Sequence, residues 1–218
     1  MKRIFTLLSA ALMAGLLTVG CNNAAPVAAT ATQADTTAAA GSIVFFNIEG
    51  NPIPSFVDLV DEVVPDQVTL VPDAHDAITS NAGWDTLRNK GFLTEVCREF
   101  KSRGIRTSIF IDPDPFMAEG AAACGADRVE LYTADYAAEY PLGPEIAISR
   151  YLETAKAARA CGLGLNAGHD LSLENLAYFV KTIPWTDEVS IGHALICDAL
   201  YLGLERTIAA YLAEICKK

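Results

Sequence analysis

The chain has 218 residues, 51% of them hydrophobic and 20% charged, with 16 basic against 27 acidic side chains. The formal net charge of −11 argues against the nucleic-acid backbone and against an anionic membrane surface as partners. Size and apolar content suit one globular domain with a sizeable core.

The first twenty-one residues stand apart. "MKR" is a basic start, "IFTLLSAALMAGLL" an apolar run, and "LTVGC" ends at Cys21. That is the layout of a secretory signal peptide; the alternative is an uncleaved membrane anchor. Gly20 before Cys21, with Leu17 upstream, also resembles the lipobox of bacterial lipoproteins, although Thr18 stands where leucine is usual. The resemblance implies lipidation at Cys21, a place in the cell envelope, and membrane contact through that N-terminal anchor alone. No other stretch approaches the roughly 18 apolar residues a spanning helix needs. Residues 22–42, "NNAAPVAATATQADTTAAAGS", are too poor in large apolar groups to order themselves and are predicted to be a disordered linker. The folded domain is expected over 43–218.

Without Lys2 and Arg3 the remainder carries 14 bases against 27 acids, a net charge of −13. Five cysteines remain after Cys21, at 97, 124, 161, 197 and 216. An odd number in mostly apolar, helical settings predicts buried thiols rather than a disulfide framework, which is cytosolic usage on a chain with an export signal.

In chain order, "IVFFNIE" (43–49) reads as a strand and "PSFVDLVDEVV" as a helix with Phe56, Leu59, Val60, Val63 and Val64 on one face. "QVTLVP" (67–72) is the next strand. "LRNKGFLTEVCREFKSRG" is a helix burying Leu93, Val96, Cys97 and Phe100 and stopping at Gly104. Strands "TSIFID" (107–112) and "RVELYT" (128–133) follow. "PEIAISRYLETAKAARACG" begins with Pro144 in its first turn and stops at Gly162. Strand "GLGLNAG" (162–168) leads to "SLENLAYFVKTIP", a helix with Ser172 as expected N-cap. Strand "VSIGHA" (189–194) and the helix "LICDALYLGLERTIAAYLAEICKK" close the chain. Near-continuous apolarity predicts strands buried on both faces, and the alternation predicts βα units on a parallel sheet, open or barrel-shaped.

In either form, ligand chemistry belongs at the C-terminal ends of the strands. Those ends carry Asn47 and Glu49, Asp73, Asp112 and Asp114, Glu130 and Thr133, Asn166 and His169, and Gly192 and His193. A Gly-His pair there lets backbone approach a ligand while the imidazole faces the pocket; the alternative is a neutral histidine bonded in the core. Glu49 is either a base with a raised pKa or a carboxylate bonded to a loop. Asp112 and Asp114 suit caps of a turn and helix. Glu130 fits an inward structural carboxylate as well as a functional one, and Asn166 a strand neighbour as well as a ligand. His75 has nothing adjacent to support a role. No metal-ligand spacing, GxSxG or dinucleotide loop is present.

"TLVPDAHDAITSNAGWD", "GIRTSIFIDPD", "GADRVELYTADYA", "GLGLNAGHDLSLENL" and "VSIGHALICDALYLGLERTI" come in the order and spacing of the pyridoxine 5′-phosphate synthase family, which the chain resembles over roughly residues 43–215. The resemblance implies a (β/α)8 TIM-barrel-type fold with six of the usual eight units present, homo-oligomeric assembly, and no cofactor. The implied activity is a ring-closing transferase reaction of vitamin B6 (pyridoxine) biosynthesis on phosphorylated small molecules, 1-deoxy-D-xylulose 5-phosphate and 3-amino-2-oxopropyl phosphate. Glu49 matches the family's base and His169 its acid. Thr79, Gly168, Asp170, Gly192 and His193 fall at substrate- and phosphate-binding positions. Asp170 replaces the usual glycine after "NAGH", and Asp73-Ala74-His75 replaces Glu-Lys-Arg. The family's first two βα units, with their histidine and arginines, have the signal and linker in their place. A second implied reading is therefore a non-catalytic envelope lipoprotein that keeps the barrel for binding or assembly.

Overall fold

A computed structural model describes residues 4–7, 16–21, 42–73 and 82–216, with backbone alone for 4–7, 16–21 and 42–44. Thr79, His75 and the linker over 22–41 lie outside the described residues.

Strands β1 (Ile4–Leu7) and β2 (Leu16–Cys21) precede β3 (Ser42–Gly50), which is followed by α1 (Pro54–Val63) and β4 (Gln67–Leu70). Next come α2 (Lys90–Ser102), β5 (Arg106–Ile111), α3 (Pro115–Ala123), β6 (Arg128–Tyr132), α4 (Ala134–Glu139) and α5 (Pro144–Ala160). The chain ends with β7 (Gly164–His169), α6 (Leu176–Thr182), β8 (Glu188–Ile191), α7 (His193–Leu202) and α8 (Leu204–Cys216). β3 to β8 run parallel in sequence order, a curled sheet of six βα-type strands. β1 pairs parallel to β8 and antiparallel to β2, and β2 pairs antiparallel to β3, so the described strands form a closed barrel.

That closure differs from eight βα units in an informative way. A βα unit needs about 30 residues because parallel neighbours require a crossover, whereas antiparallel strands turn back directly. The leader-like run therefore spans the gap as a hairpin, with Thr18 of β2 opposite Thr6 on one side and Phe45 on the other.

The alternation along β3 to β8 explains the helix layer. Ile48, Val68, Leu70, Ile109, Ile111, Val129, Leu131, Leu165, Ala167, Val189 and Ile191 join the buried core cluster. Helices cover that outward face, α2 through Leu93, Val96, Cys97 and Phe100, each of them buried as the sequence spacing predicts. Each large side chain so buried contributes roughly 1.5–3 kcal/mol. The intervening residues, Asn47, Gln67, Thr69, Ser108, Glu130, Asn166, Glu188 and Ser190, are buried and polar. With a period of two they face the barrel interior. The expected double-sided apolarity thus holds for the outer face only.

Other departures are local. In α1 the face turned to the core is Phe56, Val57 and Val60, while Val63 and Val64 are exposed, because Val64 ends the helix in a left-handed conformation. Ser172 does not cap α6; it opens a turn in which Ser172 N–H donates to Asn175 Oδ1, and helix starts at Leu176. The last expected helix breaks at Gly203, whose φ of 82° separates α7 from α8. Of the five described cysteines all are free, but Cys161, Cys197 and Cys216 are exposed, against the expected burial. Burial pushes the Cys97 thiol up to about 11, which leaves it unreactive.

Thr18→Pro tests the closure. Both edges of β2 are occupied, so a proline there removes a ladder hydrogen bond and lowers the unfolding free energy of the full chain by at least about 1 kcal/mol. Denaturant melts of both proteins measure it; superimposable curves would show that β2 is not part of the folded barrel.

Candidate active site

Three inward side chains meet at the C-terminal end of the barrel. Glu49 lies two residues after Asn47 on β3 and so shares its face. Glu130 occupies the middle of β6, opposite Phe110 and Asn166 in the register. His169 ends β7. Its Nε2 lies 3.1 Å from Glu49 Oε2, between residues 120 apart in sequence, and 3.3 Å from Glu130 Oε1. One ring nitrogen is thus held between two carboxylates.

Electrostatics follow from this crowding. Burial alone would lower the His169 pKa; the charge of Glu49 and contacts with both carboxylates outweigh it and raise the value well above the ordinary one. Glu130 is 0% exposed. Burial, then the charge of Glu49 and that of Glu188, push its carboxyl up, and His169 pulls it back, to about 7. An imidazolium that donates through Nε2 and an acid poised near neutrality make a proton-sharing cluster. The same three groups bring ligand atoms within 4.8 Å of one another, which suits a divalent ion; such an ion would compete with the His169 proton.

Neighbours hold the histidine. The Phe110 ring stacks on it at 5.6 Å with 16° between planes, and Tyr132 packs on Phe110. Thr133 N–H donates to Gly168 O, and Asp170 N–H donates to Thr133 Oγ1. Gly168 is buried because strands close in there: a Cβ would stand 2.6 Å from Ser190 and 3.1 Å from Glu130 Oε1. Gly192 N–H donates to His169 O, which ties the two Gly-His segments together. His193 is exposed as the first residue of α7, with Gly192 at the N-cap. Asp170 is exposed on the same rim. Thr79 lies outside the described residues, and so does the side chain of Cys21.

The remaining strand-end acids divide. Asp114 caps α3 by accepting from Phe116 N–H, the role expected of it, whereas Asp112 accepts from Gly83 N–H, 29 residues away, and so ties two loops together rather than capping its own turn. The Tyr132 hydroxyl is nevertheless raised, first by burial and then by the charges of Asp170, Asp135, Asp112 and Asp73. The mouth of the barrel is acidic. Asn166, open between two readings, bonds its strand neighbours: Nδ2 donates to Glu188 and Oδ1 accepts from Arg128.

Comparison with known proteins now bears on this cluster. The family model described as "Pyridoxal phosphate biosynthesis protein PdxJ" matches residues 31–217. The chain belongs to this family. It is 66% identical over 166 residues to the pyridoxine 5′-phosphate synthase of Bacteroides thetaiotaomicron, covering 76% of this chain and 70% of that one. The corresponding figures for the Cytophaga hutchinsonii protein of the same name are 62% over 172 residues, 79% and 72%. Among solved structures, a mutant tryptophan synthase alpha-subunit from Pyrococcus furiosus superposes with a TM-score of 0.51 at 15% identity, over 77% of this chain and 66% of that one. That likeness speaks for the fold alone. Among the described residues no helix is long and apolar enough to cross a membrane.

Within this PdxJ family member, Glu130 is the site residue that strand-end reasoning left undecided. On a strand covered on both sides, sequence does not say which face is functional; its contact with His169 does.

Glu130 also makes stability pH-dependent. Its folded pKa of about 7 exceeds the ordinary carboxyl value of 4.5, so its contribution is fully present below the unfolded pKa and is lost as pH rises through the folded one. The loss is on the order of 3 kcal/mol. Urea melts between pH 4.5 and 7.5 should show the wild-type chain weakening as pH rises, with Glu130→Gln much flatter over the same window. Parallel curves would contradict the assignment.

Proposed function

We propose that the chain is a pyridoxine 5′-phosphate synthase, condensing 1-deoxy-D-xylulose 5-phosphate with 3-amino-2-oxopropyl phosphate. The observation that carries this reading is the Glu49–His169–Glu130 cluster, set at the strand ends of a family member whose relatives bear that name. Joining an amine to a ketone and closing a ring requires protons to leave carbon and nitrogen and to reach departing hydroxyl oxygens. Glu49 takes protons, and His169, held as an imidazolium, supplies them. Glu130, beside the same ring nitrogen, steadies the positive charge.

The phosphate-binding roles fall to Gly192 and His193 at the start of α7, where the first-turn N–H groups beyond Gly192 and the helix dipole favour an anion. Gly168 keeps the adjoining turn narrow, and Thr79 is the further substrate contact. Asp170 opposes a phosphate on the same rim. An exposed apolar face on α7 and its junction with α8, including Leu200, Tyr201 and Leu204, supports assembly with further copies of the chain.

A second reading, a non-catalytic envelope lipoprotein, is favoured by the acidic mouth and the leader-like start. Lipidation of Cys21 as a new N-terminus would remove β1 and most of β2, so that form and the closed barrel are distinct states of the chain.

Incubation of the full chain with both phosphorylated substrates decides between the two. Product should form, and Glu49→Gln should lower kcat by about 10²- to 10⁴-fold, the usual contribution of a positioned general base. Asp170→Gly should lower KM by removing a charge from the phosphate rim. A chain that makes no product while folding normally would favour the scaffold reading.

A further inference from the structure

The barrel interior holds a directed line of hydrogen bonds that ends on Glu49. Arg106 Nε donates to Gln67 Oε1 at 2.6 Å, and Gln67 Nε2 donates to Thr69 Oγ1 at 3.5 Å. Thr69 Oγ1 donates to Asn47 Oδ1 at 3.2 Å, and Asn47 Nδ2 donates to Glu49 Oε1 at 3.0 Å. Glu49 Oε2, the other oxygen, faces His169. Asn47, Gln67 and Thr69 are 0–2% exposed, so water does not substitute for these bonds.

The direction of the line is fixed at both ends. A guanidinium only donates, so Gln67 must present its oxygen to Arg106 and its amino group to Thr69. Thr69 then has one proton to give, and it goes to Asn47 Oδ1. Asn47 must therefore turn its amino group to Glu49, and an ionised carboxylate only accepts. Every donor points from a cation toward an anion, the arrangement in which successive bonds polarise one another. Arg106 is itself anchored, its Nη2 lying 2.5 Å from Glu188 Oε1, and Glu188 also accepts from Asn166.

We propose that Asn47 and Thr69 are positioning residues for the catalytic carboxylate: they clamp one oxygen of Glu49 so that the other stays on His169. This rests on the enzymatic reading of the cluster but is testable without it. Register places the clamp without slack, since Glu49 pairs with Thr69 and Asn47 with Gln67 across β3 and β4. Freed of Asn47, the carboxylate can rotate away from the ring, and His169 then keeps only Glu130 beside it, with Glu188 as the further charge acting on Glu130.

The experiment uses the full chain as wild type and as Asn47→Ala, Thr69→Val and Thr69→Ser. His169 is followed by NMR titration of labelled imidazole, assigned with His169→Gln, alongside melting curves and kcat and KM for product formation. Asn47→Ala should move the His169 titration down by about one pH unit, the lower end of what an opposite charge contributes. Its kcat should fall on the order of 100-fold, as for a reacting group misplaced by about 1 Å, with KM within about threefold. Thr69→Val should move both in the same direction by less, and Thr69→Ser, which keeps the hydroxyl, should return both to wild type. A folded Asn47→Ala or Thr69→Val whose His169 titration is unmoved overturns the proposal. Should Asn47→Ala not fold, Thr69→Val, one link further from the site, decides alone. If the wild type makes no product but the titration moves as expected, the clamp stands and the enzymatic reading fails.

Discussion

Polar groups sealed inside a closed barrel have to satisfy one another, and most of this structure can be derived from that constraint. An unbonded buried hydroxyl or amide costs about 1–3 kcal/mol, and a charge more. Barrels of this kind usually fill the interior with branched apolar side chains. Here Glu188 bonds Arg106 and Asn166, Arg128 also reaches Asn166, and Gln67, Thr69 and Asn47 continue toward Glu49. Charge is balanced at the strand N-terminal end by two arginines facing Glu188. At the other end, among the described residues, the cation facing Glu49 and Glu130 is the His169 ring. That end carries less positive charge against its carboxylates, which is why protons are held there so firmly.

Stability and chemistry are divided between the two faces of the same strands. Outward residues such as Ile109, Leu131 and Val189 join the helices and hold the fold. Inward residues carry the site. A one-residue slip in any parallel strand would exchange the two sets, which would bury charge among the helices and empty the lumen of partners. Register is therefore protected by chemistry as much as by packing. Among the described residues Glu130 and Ser108, with Trp84 Nε1 elsewhere, lack a well-aligned hydrogen bond. For Glu130 the deficit is offset by the adjacent imidazolium.

Much of this was legible in the sequence. Six strands, the buried face of α2, and the stops at Gly104 and Gly162 followed from periodicity and glycine placement. Glu49 and His169 stood out as polar residues ending apolar runs, and family resemblance paired them. The lumen was harder to see. Thr69, Ser108 and Asn166 lie within runs whose overall apolarity hides an alternating polar face, and nothing local shows that Gln67 and Arg106 are neighbours across 39 residues. Ser172 misled for a related reason: its capping signal was real but was spent on a turn that holds Asn175. The β1–β2 hairpin was obscured by composition, since an apolar run after a basic start reads as a leader and a strand pairing is not visible from one segment alone.

The pairing of β1 with β8 also orders events in time. Ile4 meets Glu188 in the barrel, near opposite ends of the chain. During synthesis β1 emerges before β8 and has no partner on that edge until the strands and helices between them have been made. The β1–β8 seam is thus among the last pairings of the barrel that synthesis allows to form, and its timing is set by when β8 appears rather than by how strongly the two strands bind.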